Sequence, residues 1–409
     1  MIAVSKAVNI VKKETKPLGV VVVVRLADSV GRVLAEDILA DTDMPPFDRS
    51  QMDGFAMKAK DTAASPVDLK IVGESAAGRG WHKTLKSGEA VRIMTGARVP
   101  TGADSIQKIE LTTETGAIVT ILEPTEGGKY IVRKGAEIKK GRKLFSSGDT
   151  INEKMIASLA AFGYPKVRAF AKPSVAILGT GSEIVPIERQ PARDQIRNSN
   201  SAMLKALCES AGATARVLSQ TGDDLEQLKQ AISKAVRSDQ KKSEIRDPQS
   251  QILVITGGVS VGKYDLTKAA LVELGAEIYF QKVRLRPGKP MVFAKLSRTL
   301  IFGLPGNPVS AAVTFYLFVR TAIMQMQNAS QTGLRTGFAV VNSTAKAAKE
   351  RDTYLPATLE TDANGRLMAT PLRWHGSSDF VGFAKADALI FVKRGETIGG
   401  GEVATIAYL

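Results

Sequence analysis

Cysteine and histidine are almost absent from this chain of 409 residues, which has one cysteine and two histidines. A single thiol, Cys208, cannot form a disulfide within the chain, and this set cannot make a Cys/His zinc site. Redox, haem and iron–sulfur chemistry and a Ser-His-Asp triad are therefore disfavoured. Aromatic residues make up only 6% and no basic run alternates with them, so nucleic acid is a weak candidate partner.

Long apolar runs are missing too. The most apolar segment, residues 18–24, is far shorter than the ~20 residues that cross a bilayer, and its valines favour a buried strand. Lysines at positions 6, 12 and 13 interrupt the N-terminus before a signal-peptide core could form. We expect a cytoplasmic protein with no membrane partner. The net charge of +15 indicates either an anionic partner or a basic surface, and composition alone does not say which.

The chain does contain the composition of a globular protein, with 44% hydrophobic and 24% charged residues. Its first forty residues predict a helix, a strand and a second helix over residues 27–37. Short β-branched runs follow, then a helix over 152–162, strand–helix alternation to about 328, and short strands to the end. We therefore expect four domains, the second inserted into the first: 1–52 plus 142–171, 53–141, 172–328 and 329–409. Strand–helix alternation predicts a doubly wound, mostly parallel sheet, and the last block predicts a small β barrel or sandwich.

Five polar or glycine-rich clusters follow the predicted strands of the third domain. They are residues 179–183, 222–224, 257–262, 286–290 and 304–308. Open α/β sheets bind ligands beyond the carboxyl ends of their strands. Glycines in such a cluster let backbone N–H groups approach an anion, and Pro308 suits the first turn of a helix whose N-terminus could face that anion.

Charged residues accompany these clusters. Lys282, Arg286 and Lys289 supply positive charge. The acidic residues would repel a phosphate unless a cation lay between them, and oxygen ligands together with phosphate imply Mg²⁺; they are Glu183, Asp223 and Asp265. The set predicts a metal-assisted site for a phosphorylated anion. Each cluster alone is equally consistent with a turn, and Asp224 is also suited to cap a helix.

Two further motifs complete a family resemblance. Residues 46–56 read PFDRSQMDGFA and residues 92–97 read RIMTGA. With the five clusters, they resemble the molybdopterin molybdenumtransferases, the MoeA and gephyrin E-domain family, over essentially the whole chain. The resemblance implies a homodimer with a molybdopterin adenylyltransferase-like α/β domain, an inserted β domain, an elongated N-terminal α+β domain and a C-terminal β barrel. In the family the cleft lies between the α/β domain of one subunit and the insert of the other.

The family reaction inserts molybdenum from molybdate into adenylylated molybdopterin and releases AMP with the help of Mg²⁺. Molybdopterin adenylyltransferase and the receiving molybdoenzymes would be partners. The sequence does not separate molybdate from tungstate, and it does not name the enzymes that receive the cofactor.

The resemblance also implies roles for individual residues. Catalytic roles fall to Asp53, Thr95, Glu183, Asp223 and Asp265, of which the last three would hold the metal. Without the resemblance, Asp53 would read as an Asx turn and Thr95 as a hydroxyl at a strand end. Cofactor binding is implied for Gly257, Gly258, Ser260, Gly262, Lys282, Arg286, Lys289, Pro305, Asn307, Pro308 and Ser377.

Three positions depart from the family pattern. Val132 stands where members usually carry Arg, Glu137 replaces an Asp, and Asn198 replaces the Asp of an Asp-Ser-Asn motif, although Asn can still cap a helix. These departures motivate an alternative function, a catalytically weakened paralogue that acts as a scaffold or carrier of the cofactor.

Overall fold

The computed structural model describes residues 1–236, 250–258, 266–372 and 376–409. Contacts divide the chain into two compact units. The first comprises Met1–Glu36, Ser147–Ile156 and Lys166–Leu409, and the second comprises Asp37–Ser146 and Ala157–Pro165. The helix expected over residues 152–162 is present at Glu153–Ala161, and its residues are divided between the two units.

The first unit begins with helix Val4–Glu14 and strand Val21–Arg25, as expected. The helix buries one apolar stripe at helical spacing, made by Val4, Ala7 and Val11. The strand pairs antiparallel with Lys166–Phe170. This pairing brings the two ends of the intervening segment together.

The second helix expected over residues 27–37 is wrong, because the chain forms only a short 3₁₀ turn at Leu26–Asp28. The backbone N–H of Leu34 donates to the carbonyl of Asp149 at 2.9 Å, and that of Ala35 donates to Arg168 at 2.9 Å. These groups are thus bonded to distant segments and are not available for a local helix. The apolar residues at this spacing therefore belong to an extended segment that crosses two distant segments, and not to a helix.

The second unit is built on a six-stranded β-sheet. In spatial order its strands are Ser105–Lys108, Gly54–Met57, Glu89–Ile93, Val67–Ser75, Ile118–Ile121 and Thr112–Thr115. Two short ladders accompany it, Arg49–Ser50 with Ile131–Val132 and Ile38–Leu39 with Lys143–Phe145. Alternate strand residues pack into its core, including Phe55, Met57, Leu69, Val119 and Ile121. The β-rich character expected of this segment is confirmed.

A second six-stranded sheet forms the centre of the first unit. Its spatial order is Thr214–Val217, Ser174–Gly179, Ile252–Thr256, Thr299–Leu304, Pro290–Leu296 and Glu277–Lys282. The first four strands are parallel, and Pro290–Leu296 runs antiparallel to both neighbours. The chain adds strands first on one side of Ser174–Gly179 and then on the other. The switch point therefore lies between that strand and Ile252–Thr256.

Helices cover both faces of this sheet, which confirms the doubly wound fold. On one face, helices Leu225–Val236 and Leu266–Glu273 pack against Ala176, Leu178, Leu253 and Ile255. On the other, helices Val4–Glu14, Ser199–Ser210 and Pro308–Met326 pack against Val175, Ile177, Ile252 and Val254. Adjacent residues of one strand enter opposite cores, so the strands read as continuous apolar runs.

Helix Pro308–Met326 is long and apolar enough to cross a membrane, but 78% of its most apolar window is buried within the protein. It contains a π-helical segment at Phe315–Val319. Its side chains fill one of the two cores of the sheet. This burial identifies it as a core helix.

The C-terminal residues form a closed five-stranded barrel, as expected. Its strands, in order around the barrel, are Asp352–Thr361, Leu367–Pro371, Thr336–Val341, Val403–Tyr408 and Ala388–Val392, and the last pairs with the first. Alanines occupy much of its interior, namely Ala339, Ala357, Ala369, Ala388 and Ala404. A barrel of few strands has a narrow interior, and small side chains fit it.

Three short strand pairings complete the first unit, and the first of them joins the α/β domain to the barrel. Leu285–Arg286 pairs with Asp352–Thr353 of the barrel, Ala345–Lys346 pairs with Thr397–Ile398, and Ile184–Val185 pairs with Ile196–Arg197. A one-turn helix lies at Phe380–Phe383.

Candidate functional site

The expected clusters lie along one edge of the α/β sheet. Strands ending at Gly179, Val217, Thr256 and Leu304 are parallel, so their carboxyl ends share that edge. The strand that ends at Lys282 reaches the same edge, because Lys282 lies opposite Pro290, where the antiparallel strand begins. Residues 286–290 therefore connect two strands at this edge. Ser260, Gly262 and Asp265 lie outside the described residues.

Gly257 and Gly258 begin the loop after the central strand, and their left-handed backbone favours glycine. Their φ values are +97° and +61°. A Cβ at Gly257 would lie 2.3 Å from the carbonyl oxygen of Thr180, in the loop after the neighbouring strand. Thr180 N–H in turn donates to the carbonyl of Thr256 at 3.0 Å. Two strand-end loops are thus held in direct contact.

The acidic residues of these loops are exposed. Asp223 accepts hydrogen bonds from the backbone N–H of Ser182 at 3.3 Å and from the Ser182 hydroxyl. The carboxylate of Glu183 folds over Gly181, where a Cβ would meet its Oε2 atom. Asp224 caps helix Leu225–Val236 by accepting from the N–H of Gln227 at 2.8 Å. Because Asp224 caps the helix, Asp223 is the carboxylate of these two neighbours that is placed to contact a ligand.

A pocket of about 70 Å³ lies between these loops. Asn198 lines it and caps helix Ser199–Ser210, accepting from the N–H of Ser201 at 3.1 Å, as its residue type predicts. Asn200 also lines it and donates its amide to Gly306 O at 2.6 Å and Thr256 Oγ1 at 3.0 Å. The buried Oδ1 atom of Asn200 has no hydrogen-bond partner within the described ranges.

An unpaired buried acceptor is costly unless a ligand supplies its donor. Asn200 is therefore a functional candidate that the sequence analysis missed. In the sequence, Asn200 was indicated only by its position as the third residue of the Asn-Ser-Asn run at residues 198–200.

Asn307 and Ser377 are brought together, although they are far apart in sequence. The Asn307 side-chain amide donates to Ser377 Oγ at 2.7 Å, and the N–H of Val309 donates to the Ser377 carbonyl at 3.1 Å. Pro308 occupies the first turn of the helix, where its missing N–H costs nothing. Pro305 accepts from Thr256 Oγ1 at 3.3 Å. These residues fix the loop that borders the pocket.

The three expected cations, Lys282, Arg286 and Lys289, are exposed. The carbonyl of Lys289 accepts from the N–H of Val283 at 3.1 Å, which closes the loop that carries all three. None has a carboxylate within 4.0 Å in the part of the chain that the structure describes. Their charge is therefore available to an anion at the sheet edge.

Asp53 and Thr95 meet in the second unit, within the segment assigned above to the inserted β domain. Asp53 Oδ1 accepts from the Thr95 N–H at 2.6 Å and from its hydroxyl at 3.0 Å. These bonds, the backbone one first, hold the pKa of Asp53 below its ordinary value. Gly54 follows because a Cβ there would lie 2.0 Å from the carbonyl oxygen of Gln107. The pair presents an ionised carboxylate and a hydroxyl on one exposed turn.

Thr95→Val is expected to raise the pKa of Asp53 towards the ordinary value of about 3.9, because it removes the hydroxyl donor and retains the N–H. A depressed pKa contributes stability that is present above the ordinary value and is lost as the pH falls through the folded value. The variant therefore loses part of this contribution at neutral pH. Carboxyl chemical shifts of Asp53, titrated by NMR, measure the change, and equal titration curves would contradict it.

The departures at residues 132–137 are accommodated by ion pairs. Glu137 pairs with Arg49 at 2.9 Å, Arg133 pairs with Asp48 at 2.7 Å, and Lys134 lies 3.5 Å from Asp43. Val132 pairs through its backbone with Arg49. Exposed pairs of this kind contribute about 0–1 kcal/mol each. Their effect is to place the Asp48–Arg49 segment that leads to Asp53.

No group of three or more carboxylate, histidine or cysteine side chains that could hold a metal occurs among residues 1–236, 250–258, 266–372 and 376–409. Glu183 and Asp223 are the expected ligands within these ranges. Mg²⁺ commonly binds through one or two carboxylates together with substrate phosphates, so two carboxylates at this edge fit such an ion.

Three family models together match most of the chain. The MoeA N-terminal region (domain I and II) matches residues 2–163, a probable molybdopterin binding domain matches residues 176–325, and the MoeA C-terminal region (domain IV) matches residues 339–409. The order of the matches is the order in which the sheet, the α/β domain and the barrel occur.

Relatives of known name agree with these matches. The molybdopterin molybdenumtransferase of Bacillus subtilis (strain 168) is 36% identical over 392 residues, which cover 91% of this chain and 86% of that protein. Two solved structures of the molybdopterin biosynthesis MoeA protein of Pyrococcus horikoshii superpose over the whole chain. One has a TM-score of 0.83, 26% identity and 100% coverage of both chains. The other has a TM-score of 0.78, 31% identity and covers 100% of this chain and 99% of its own.

Proposed function

Because this chain belongs to the molybdopterin molybdenumtransferase family, the transferases of molybdenum cofactor biosynthesis, we propose that it inserts molybdenum from molybdate into adenylylated molybdopterin and releases AMP. The observation that carries the proposal is the sheet edge, where glycine-rich loops, exposed cations and carboxylates occur together. This combination suits a substrate that carries a pyrophosphate and meets a second anion, molybdate.

The residues divide the binding work by their chemistry. Lys282, Arg286 and Lys289 would contact the anionic groups. The N–H of Gly258 would approach phosphate oxygens, and Gly257, whose own N–H donates to Leu304 O at 3.3 Å, would hold that loop in place. Asn200 Oδ1 would accept a donor from the substrate. Ser260, Gly262, Pro305, Asn307, Pro308 and Ser377 would shape the same loops.

Asp53 and Thr95 would supply a carboxylate and a hydroxyl to the reacting groups. Mg²⁺ would be held by Glu183 and Asp223 together with Asp265, and when bound it supplies positive charge to the phosphate oxygens. This positive charge offsets the repulsion that the three carboxylates alone would exert on the phosphates.

We further propose a cytoplasmic homodimer with four domains, at 1–52 plus 142–171, 53–141, 172–328 and 329–409. The family-model matches at 176–325 and 339–409 support the last two boundaries. The partners would be molybdopterin adenylyltransferase, which supplies the adenylylated substrate, and the enzymes that receive the cofactor.

The test is AMP release by the purified chain supplied with adenylylated molybdopterin, molybdate and Mg²⁺. We expect multiple turnovers that require molybdate. Tight substrate binding with no AMP release would instead support the scaffold alternative. That alternative rests on Val132, Glu137 and Asn198, and two of these have replacement contacts here: Glu137 bonds to Arg49 and Asn198 caps its helix.

A further inference from the structure

A second pocket lies at the opposite edge of the α/β sheet. Its volume is about 580 Å³, within the range of small-molecule sites. It is lined by Gln251, which lies just before the strand Ile252–Thr256. It is also lined by the turn Ser297–Arg298, which joins the antiparallel strands Pro290–Leu296 and Thr299–Leu304. These positions are the amino-terminal ends of the parallel strands. The pocket is therefore separate from the candidate site at the carboxyl ends.

Three cations line this pocket, Lys16, Lys295 and Arg298. None of them has a carboxylate within 4.0 Å among the residues with described positions. The acidic lining residue is Glu14, whose carboxylate accepts from the hydroxyl of Tyr279 at 3.0 Å. Among the described residues, the lining side chains thus concentrate positive charge.

Two helix C-termini also approach the pocket, and their partial negative charges reduce its net positive charge. Helix Val4–Glu14 and helix Pro308–Met326 both end at lining residues, and each end is equivalent to roughly half a negative charge. Their carbonyls are partly satisfied, since Thr15 N–H donates to Val11 O at 3.0 Å and Leu18 N–H donates to Met326 O at 2.9 Å. The three cations are opposed by the negative charge of Glu14 and by about half a negative charge at each helix end. The described lining residues therefore keep a net charge of about one positive unit.

The pocket has an apolar side as well. Pro17 is exposed and Leu18 is half-buried on this side, whereas Leu300 and Met326, 2% and 5% exposed, line it from the protein interior. Ser297, held in the left-handed region at φ +56°, adds a hydroxyl at the turn. A bare inorganic anion would use the cations and leave this apolar side uncovered. A ligand with an anionic group and an apolar body matches both.

We propose that this pocket binds an organic phosphate of nucleotide size. Its phosphate contacts Lys16, Lys295 and Arg298, and its body packs on Pro17 and Leu18. The volume accommodates such a molecule. The assignment does not depend on transferase activity.

The experiment titrates the full chain with AMP, adenosine and inorganic phosphate by isothermal calorimetry. AMP is also the product of the proposed reaction, so two AMP sites are expected on the unaltered chain. Lys295→Ala/Arg298→Ala should weaken one of them at least tenfold, whereas Arg286→Ala should weaken the other. Affinity at the first site should fall as salt is raised.

Lys346→Ala/Lys349→Ala removes the same charge from exposed lysines of the barrel region and should leave both AMP sites unchanged. Thermal unfolding of both double variants without ligand checks that each is folded. The proposal is overturned if the Lys295/Arg298 variant binds AMP as the control does. It is overturned equally if phosphate or adenosine binds this pocket as tightly as AMP. A single AMP site that is lost in Lys295→Ala/Arg298→Ala and kept in Arg286→Ala would support this pocket and contradict AMP binding at the carboxyl-end site, and the reverse pattern would overturn the pocket.

Discussion

Asp53→Ala is expected to lower kcat/KM for AMP release by at least about 100-fold, the size of effect seen when one positioned electrostatic group is removed from an active site. The carboxylate is charged at neutral pH and holds the Thr95 N–H and hydroxyl through a single oxygen. Its removal takes away both the charge and the order of the turn. Steady-state kinetics with adenylylated molybdopterin and molybdate measure the loss.

Asp53→Asn separates the two effects, because an amide oxygen can still accept from Thr95 while the charge is gone. If the charge acts on the substrate, Asn and Ala should be similarly impaired. The matched control is Asp68→Ala, which breaks another exposed Asp–Thr hydrogen bond of the same unit, from Thr120 at 2.6 Å. Asp68→Ala should keep the normal rate. An Asp53→Ala variant with normal kinetics would remove Asp53 from the proposed site.

Gly257→Ala is expected to destabilise the first unit by about 3 kcal/mol or more, since it combines two penalties. The left-handed backbone costs an L-residue roughly 1–2 kcal/mol. The added Cβ would also lie 2.3 Å from Thr180 O and 2.8 Å from Thr180 Oγ1. The carbonyl belongs to a loop pinned to Thr256, so relief requires the two strand ends to move apart.

Gly275→Ala isolates the first penalty. Gly275 has φ +73° and no atom within 4 Å of its Cβ position, so this variant should lose only about 1 kcal/mol. Urea unfolding followed by circular dichroism compares the two variants. Equal midpoints would mean that the loop at Thr180 moves aside freely and that the close approach is unimportant.

The sequence predicted those elements whose signals are local. Continuous apolar runs gave the strands Ser174–Gly179 and Ile252–Thr256, and Asn198 was expected to cap the helix that it caps. Residues 27–37 were misjudged because their backbone bonds reach residues 149 and 168, which no local pattern reveals. Their helical spacing is real in the sequence, but tertiary hydrogen bonds override it.

In the candidate site, too, residues with a local sequence signal could be predicted, and residues that depend on long-range contacts could not. The glycines and the cations could be placed by strand ends alone, and the family resemblance supplied Asp53 with Thr95. Asn200 could not be found, because its importance depends on Gly306 and Thr256 taking its amide and leaving its oxygen unpaired. The ion pair between Glu137 and Arg49 likewise could not be predicted, because the two residues lie far apart in the sequence.

The packing of the first helix has a consequence for how the protein is made. Val4, Ala7 and Val11 share a core with Phe315, Phe318 and Ile323, and the next segment bonds to Met326. Roughly 300 residues separate the two sides of this contact, a length that takes roughly 15–60 s to synthesise at 5–20 residues per second. Throughout that time the apolar stripe of the nascent helix lacks these partners. This helix, although made before the segments that cover it, is among the last of these parts to be buried, and we expect chaperones and proteases to act on it in this interval.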